Sequence, residues 1–388
     1  MILRILPLMA ILLFLPLFGI DRMSLRHHLH AAWRWVLAFP NILLFSALAK
    51  IAVNESYSSN AMYWKGLLLT WALCIGIPEA VTALGMLIGK FYKGGSKKRH
   101  IVHGISWTLG AIVFASLVYG FTGGYKHLVV KDYTYASAKL PQEFDGYRIM
   151  QFSDIHVGTF NGNTEVVQSI VDTINSYDPD LIVFTGDLVN TLSRELDDYT
   201  EVLSLLKARD GVLSISGNHD YAHYFKWKSP VDSMLDIRRL HRLQAEMGWN
   251  LLLNENVVLH RGNDSIAVLG SENDGLPPFP MQGDLKKTQK GIGADCFKVL
   301  LTHDPTHWKR SVLPETNIDL TLSGHTHGMQ FKIGNFSPAS FFYPDWGGEY
   351  RHEDGSALYV SLGCGEALLP FRFGAWPEVN LITLKYKN

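Results

Sequence analysis

The sequence predicts an α/β domain preceded by four transmembrane helices, and three observations carry that reading. Apolar residues make up 47% of the 388-residue chain and are concentrated in its first third. From about Tyr147 the texture changes to alternating strand and helix patterns. Polar motifs then follow one apolar strand after another, at the edge where an α/β sheet binds its ligands.

A bilayer crossing takes about 20 apolar residues, and the stretches Ile2–Ile20, Ala31–Val53, 66–88 and 101–121 meet that length. The first has Arg4 as its basic residue and no small-residue cleavage site after it, so it reads as a retained helix, not a signal peptide. Pro7, Pro16, Pro40 and Pro78 fall inside these spans, where neighbouring membrane helices tolerate them. Basic residues in short loops set the orientation. Arg22 and Arg26 lie in the first connection, and Lys90, Lys93, Lys97, Lys98 and Arg99 in the third, whereas the second holds Glu55 and no basic residue. The basic connections should be cytoplasmic, which leaves everything after Phe121 on the outer side of the cytoplasmic membrane. Glu79, deep in the third span, is a functional candidate or a carboxyl hydrogen-bonded between helices. His27, His28 and His30 lack a carboxylate or thiolate companion and read as a polar loop.

Composition excludes other classes. A net charge of −1 gives no general pull toward nucleic acid, so no nucleic-acid partner is expected. Cys74, Cys296 and Cys364 lack the spacing of a zinc site or disulfide framework, although Cys296 and Cys364 could pair. The spans lack repeat symmetry and a set of charges at depth, so they read as an anchor and not as a transporter.

In the second part, "YRIMQFSDIH" reads as a strand running into a loop, "NTEVVQSIVDTINSY" as a helix and "DLIVFTGD" as a buried strand. "LDDYTEVLSLLKARD" reads as a second helix and "GVLSISGNHD" as a third strand. This βαβαβ order implies a largely parallel sheet. The motifs at its strand ends are "SDIH" with Asp154 and His156, "TGDLVN" with Asp187, "GNHD" with Asn218 and His219, "LLTHDP" with His303, and "SGHTHG" with His325 and His327. In extended chain the last two rings would share one side, roughly 6.6 Å apart. Together these residues supply enough oxygen and nitrogen ligands for two divalent ions.

With five blocks in the order D-x-H, G-D, G-N-H-[DE], H and G-H-x-H, the chain from about Tyr147 onward resembles the calcineurin-like metallophosphoesterases. Its membrane-spanning front and "PFRFGAWPEVNLITL" near the end resemble their membrane-anchored bacterial branch. The resemblance implies a sandwich of mixed β-sheets flanked by helices over 145–388, behind an anchor at 1–121 and a linker at 122–144. It implies that Asp154, His156, Asp187 and His327 hold one divalent ion, and Asp187, Asn218, His303 and His325 a second, with manganese, iron or zinc as the metals. His219 would protonate or stabilise the leaving oxygen, or else orient Asn218. Two positions depart from the pattern: Met329 stands where a glycine is expected, and Leu362 where an arginine is expected. The second departure removes a candidate phosphate contact.

The activity implied is hydrolysis of phosphoric mono- or diesters. A metal-binding scaffold without turnover is the alternative of different class; loss of ligands or of His219 would favour it, and none is lost. Phe336, Phe341, Phe342, Tyr343 and Trp346 follow the last metal motif with little charge between them. They suit either contact with a lipid- or glycolipid-linked substrate at the membrane or packing of a long loop.

Overall fold

A computed structural model describes residues 2–53, 59–91, 96–367 and 369–387. Glu55 and Lys93, used above to orient the chain, lie outside the described residues. The chain divides into two compact units, Met1–Gly123 and Gly124–Asn388.

The first unit contains helices Ile2–Ile20, Ala31–Val53, Ser59–Phe91 and Ser96–Thr122. All four are long and apolar enough to cross a membrane by length and composition. The connection after the first does not open into a loop; it stays helical through Asp21–Leu25 and Arg26–His28. Arg34 clamps Asp21 there with two hydrogen bonds of 2.5 and 2.6 Å. His27, His28 and His30 are exposed and join no metal-ligating group among the described residues. Asn41 Nδ2 donates to Glu79 at 2.8 Å and to the Leu13 carbonyl at 2.6 Å, so the half-buried acid is tied between helices.

The strands of the second unit are, in chain order, β1 (Val129–Ser137), β2 (Arg148–Phe152), β3 (Leu181–Phe184), β4 (Val212–Ser214), β5 (Trp249–Leu251), β6 (Glu255–Arg261), β7 (Asp264–Gly270), β8 (Phe297–Leu301), β9 (Leu320–Ser323), β10 (Gly348–Arg351), β11 (Ala357–Val360) and β12 (Glu378–Tyr386). One sheet runs β1-β12-β2-β3-β4-β5 and the other β10-β11-β9-β8-β7-β6. Strands β2 to β5 are parallel, as the βαβαβ order implies, but β12 enters antiparallel to β2. The second sheet is parallel across β7, β8, β9 and β11 with antiparallel edges β6 and β10. Strands β3 and β8 are buried along their whole length, as strands covered on both faces must be.

The sheets pack face to face. Ile149, Val183 and Leu213 of the first meet Val268, Val299 and Leu320 of the second in one apolar layer. Helix Thr164–Ser176 covers the outer face of the first sheet with Val167, Ile170, Val171 and Ile174, capped by the Asn163 side chain. The two sheets thereby bring the carboxyl ends of β2, β3, β4, β8 and β9 to one edge.

Three readings change. The segment 122–144, taken as a linker, contains β1, which pairs with β12 along nine residues. The second helix expected over "LDDYTEVLSLLKARD" shrinks to Thr200–Leu203, because the Asn175 side chain donates to the Leu205 carbonyl and accepts from the Lys207 N–H. The longer helix is Pro230–Glu246, which starts on a Ser229 side-chain cap followed by proline. Cys296 and Cys364 are not bonded to each other.

Candidate metal centre

Each motif leaves its strand in a tight turn. Asp154 and His156 follow β2, Asp187 follows β3, Asn218 and His219 follow β4, His303 follows β8, and His325 and His327 follow β9. The structure brings all eight side chains into one buried cluster at the sheet edge. Three donor groups arise there, each with atoms within 4.8 Å of one another: Asp154, His156 and His327; His156, Asp187 and His219; and Asp187, His303 and His325.

Individual distances define two half-sites. His327 Nε2 lies 3.1 Å from His156 Nε2 and 3.4 Å from Asp154 Oδ1. His303 Nε2 lies 3.2 Å from Asn218 Oδ1 and 3.3 Å from His325 Nδ1. Asp187 Oδ2 faces both sets, 3.6 Å from His156 Nε2 and 3.2 Å from His303 Nε2. Its other oxygen, Oδ1, accepts the His219 backbone N–H at 2.8 Å.

The "GHTH" pair reaches the two half-sites by a route the spacing did not predict. The chain is not extended: His325 has φ 76° and His327 φ 50°, with Thr326 near helical angles between them. The rings therefore diverge through a turn, one by Nδ1 and the other by Nε2. Two glycines make room nearby. A Cβ at Gly217 would overlap the Asp187 carboxylate, and one at Gly324 would overlap that of Asp154.

The electrostatics suit divalent cations. Burial pushes His156 down to about 3 and His325 down to about 4, so both imidazoles are neutral near pH 7 and keep a lone pair for a metal. His327 is lowered well below the usual value by burial, with His156 and the Arg372 guanidinium adding to it. Burial alone would raise Asp187, but His303, His219 and His156 outweigh it and hold the acid well below the carboxylate range. Asp154, raised to about 6 by burial, has less cationic support. The donor set of neutral imidazole, carboxylate and amide fits manganese, iron or zinc.

Several supporting residues escaped the sequence reading. Asp220, the last residue of "GNHD", accepts the backbone N–H groups of Asp187, Leu188 and Gly217 at 2.9 Å each and of Val189 at 3.3 Å. It clamps the Asp187 loop to the Asn218 loop. His303 Nδ1 donates to the Thr185 carbonyl at 2.8 Å, and His219 Nδ1 to the Asn190 carbonyl at 2.6 Å, which turns each Nε2 inward. His325 Nε2 lies 2.9 Å from the Tyr343 hydroxyl and 3.6 Å from Asp304. Arg372, fully buried, reaches His327 Nδ1 at 3.1 Å while donating to the carbonyls of Leu362, Gly365 and Ala375. Asp220 and Arg372 stood in quoted motifs, but only topology shows what they touch. Leu362 is buried and packs beside Gly328 and Gly347, while Met329 is exposed in the turn.

The model of the calcineurin-like phosphoesterase family matches residues 147–329. The uncharacterized metallophosphoesterase YkuE of Bacillus subtilis (strain 168) is 31% identical over 72% of this chain and 95% of its own length. A transmembrane protein with metallophosphoesterase domain from Danio rerio is 31% identical over 71% of this chain, and the uncharacterized metallophosphoesterase Cj0846 of Campylobacter jejuni is 30% identical over 64%. The chain spans 62% of the length of each of these last two relatives. Fold, donor cluster and relatives agree: this chain belongs to the calcineurin-like metallophosphoesterases, a family of metal-dependent phosphoester hydrolases. Its four apolar helices and its transmembrane relative make it a membrane protein of that family.

Proposed function

We propose that this chain is a dinuclear-metal phosphoesterase acting at the outer face of the cytoplasmic membrane on a lipid- or glycolipid-linked phosphoric ester. The observation that carries the reading is the buried Asp187 Oδ2, one anionic oxygen facing His156 on one side and His303 on the other. Asp154, His156, Asp187 and His327 would hold one ion, and Asp187, Asn218, His303 and His325 the other. Two divalent ions so held would supply the charge that lowers the pKa of a water and neutralises phosphoryl oxygens. His219 is oriented for proton transfer: its Nδ1 is committed to the Asn190 carbonyl, so Nε2 is the atom that can serve the leaving oxygen.

The basic residues of the first and third connections support the outward orientation. The lipid-linked substrate draws on the aromatic loop. Phe341 and Phe342 are 75% and 70% exposed and Phe336 is 48% exposed, whereas Tyr343 and Trp346 turn inward, Tyr343 onto His325. A run with one end at a metal ligand and the other offering bare phenylalanines to solvent suits an interface with lipid.

The test uses the full chain in detergent micelles with manganese, iron or zinc, comparing a water-soluble aryl phosphodiester with phospholipid and nucleotide-linked glycolipid. Phe341→Ser/Phe342→Ser should reduce lipid turnover selectively. Equal loss on both substrates, or no preference for lipid, removes the lipid assignment; no turnover of any ester removes the hydrolase reading. A reporter fused after Asn388 should be active only outside the cytoplasm, and the reverse result inverts the topology.

A further inference from the structure

Tyr224 reaches the centre from outside every motif. It follows the Asn218–Tyr221 turn, where Ala222 adopts φ 55°, and Trp227 Nε1 donates back to the Ala222 carbonyl at 2.7 Å to close the segment on itself. The Tyr224 ring lies 4.3 Å from that of His219, tilted by 31°. Its hydroxyl accepts from Asn218 Nδ2 at 2.8 Å, which leaves Asn218 Oδ1 turned toward His303. The residue is nevertheless 48% exposed. A phenol oxygen that accepts an N–H bond still has its own proton to donate. No acceptor for that proton is present among the described residues.

We propose that Tyr224 is a substrate-contacting residue: its phenol O–H donates to a phosphoryl oxygen on the Asn218 side of the centre, and its exposed ring packs against the esterified group. This rests on the phosphoesterase reading of the same site. A hydrogen bond to a charged oxygen is worth roughly tenfold or more in affinity.

Tyr224→Phe keeps the ring on His219 and removes the hydroxyl. In the manganese-loaded full chain, calorimetry should show inorganic phosphate binding weakened about tenfold, with KM for bis(p-nitrophenyl) phosphate raised by a similar factor and the wild-type ion content retained. Tyr224→Leu should lose several-fold more on the aryl ester than on inorganic phosphate. Unchanged phosphate affinity in Tyr224→Phe overturns the proposal. So does loss of ions in step with activity, since Tyr224 would then act only by positioning Asn218. A wild type that binds phosphate but turns over no ester would sink the hydrolase reading, and the phosphate comparison would still judge Tyr224.

Discussion

Replacing Asp220 by asparagine tests whether the clamp behind the centre, and not the ligands alone, builds the site. Oδ2 takes the N–H groups of Asp187 and Gly217, and Oδ1 those of Leu188 and Val189. Burial and the nearby Asp187 push Asp220 up to about 7. All four contacts are donors, however, so a carboxyl proton would have no acceptor among them, and the carboxylate is the form the geometry accommodates. An amide of the same shape turns an NH₂ group toward two of those N–H groups. Leaving two buried donors unsatisfied costs about 1–3 kcal/mol each, or roughly 2–6 kcal/mol in all. For a domain of this size that lowers Tm by roughly 5–20 °C. Because Asp187 is also held at φ 61°, loosening its loop should weaken ion binding about 10–100-fold. Thermal unfolding of the full chain at pH 8, in EDTA and in titrated manganese, reads both effects. Unchanged Tm together with unchanged manganese affinity would refute the reasoning.

Asp187→Asn should abolish hydrolysis and strip both ions, since a neutral amide bridges two cations poorly; metal analysis after gel filtration that finds normal ion content with normal turnover refutes the bridge. His219→Ala should lower kcat by about 10²–10⁴ with the ions retained, whereas ion loss would make it a ligand with His156 and Asp187. Loading should depend on pH: burial acts to lower His303, but Asp187 and Asp154 overcome it and raise the imidazole to about 10. An ion must displace that proton, so manganese affinity should rise about tenfold per pH unit between pH 7 and 9, and a flat profile would contradict the assignment. In the metal-free protein the same raised value means a stabilising contribution complete below about pH 6.5 and lost as pH rises through about 10, so Tm in EDTA should fall across that window.

Residues that meet at a sheet edge were legible because the chemistry they perform dictates their type, and strands deliver them in chain order. Asp154, Asp187 and His303 each follow a buried apolar run, and such runs are the strongest signal a single sequence gives. What the order could not convey was pairing. Strand β1 carries strand-forming residues but lies outside the βαβ alternation and is only partly buried, and its place is decided by β12, roughly 250 residues later. The failed helix at "LDDYTEVLSLLKARD" has the same cause: its apolar residues Val202, Leu203 and Leu206 are buried as expected, but a side chain from another helix takes its backbone groups.

The centre itself shows why periodicity stops short of geometry. Asp154, His156, Asp187, His325 and His327 all sit at φ between 45° and 76°, a region that costs a non-glycine residue roughly 1–3 kcal/mol. Asp and His enter this region more readily than other non-glycine residues, but the remaining cost has to be met by contacts from outside each turn. Asp220 supplies such contacts to the Asp187 loop, and the Asp154 carboxylate itself receives the His325 N–H at 3.0 Å from both oxygens. Arg372 holds His327 from behind. The rigid sandwich supplies anchors that a two-residue turn cannot supply for itself, and this explains why candidate ligands from both sheets converge where neither sheet alone could hold them. If divalent cations bind these donors as proposed, ion binding and local folding become one equilibrium, because drawing the donors together would offset strain that the metal-free protein carries through its clamps.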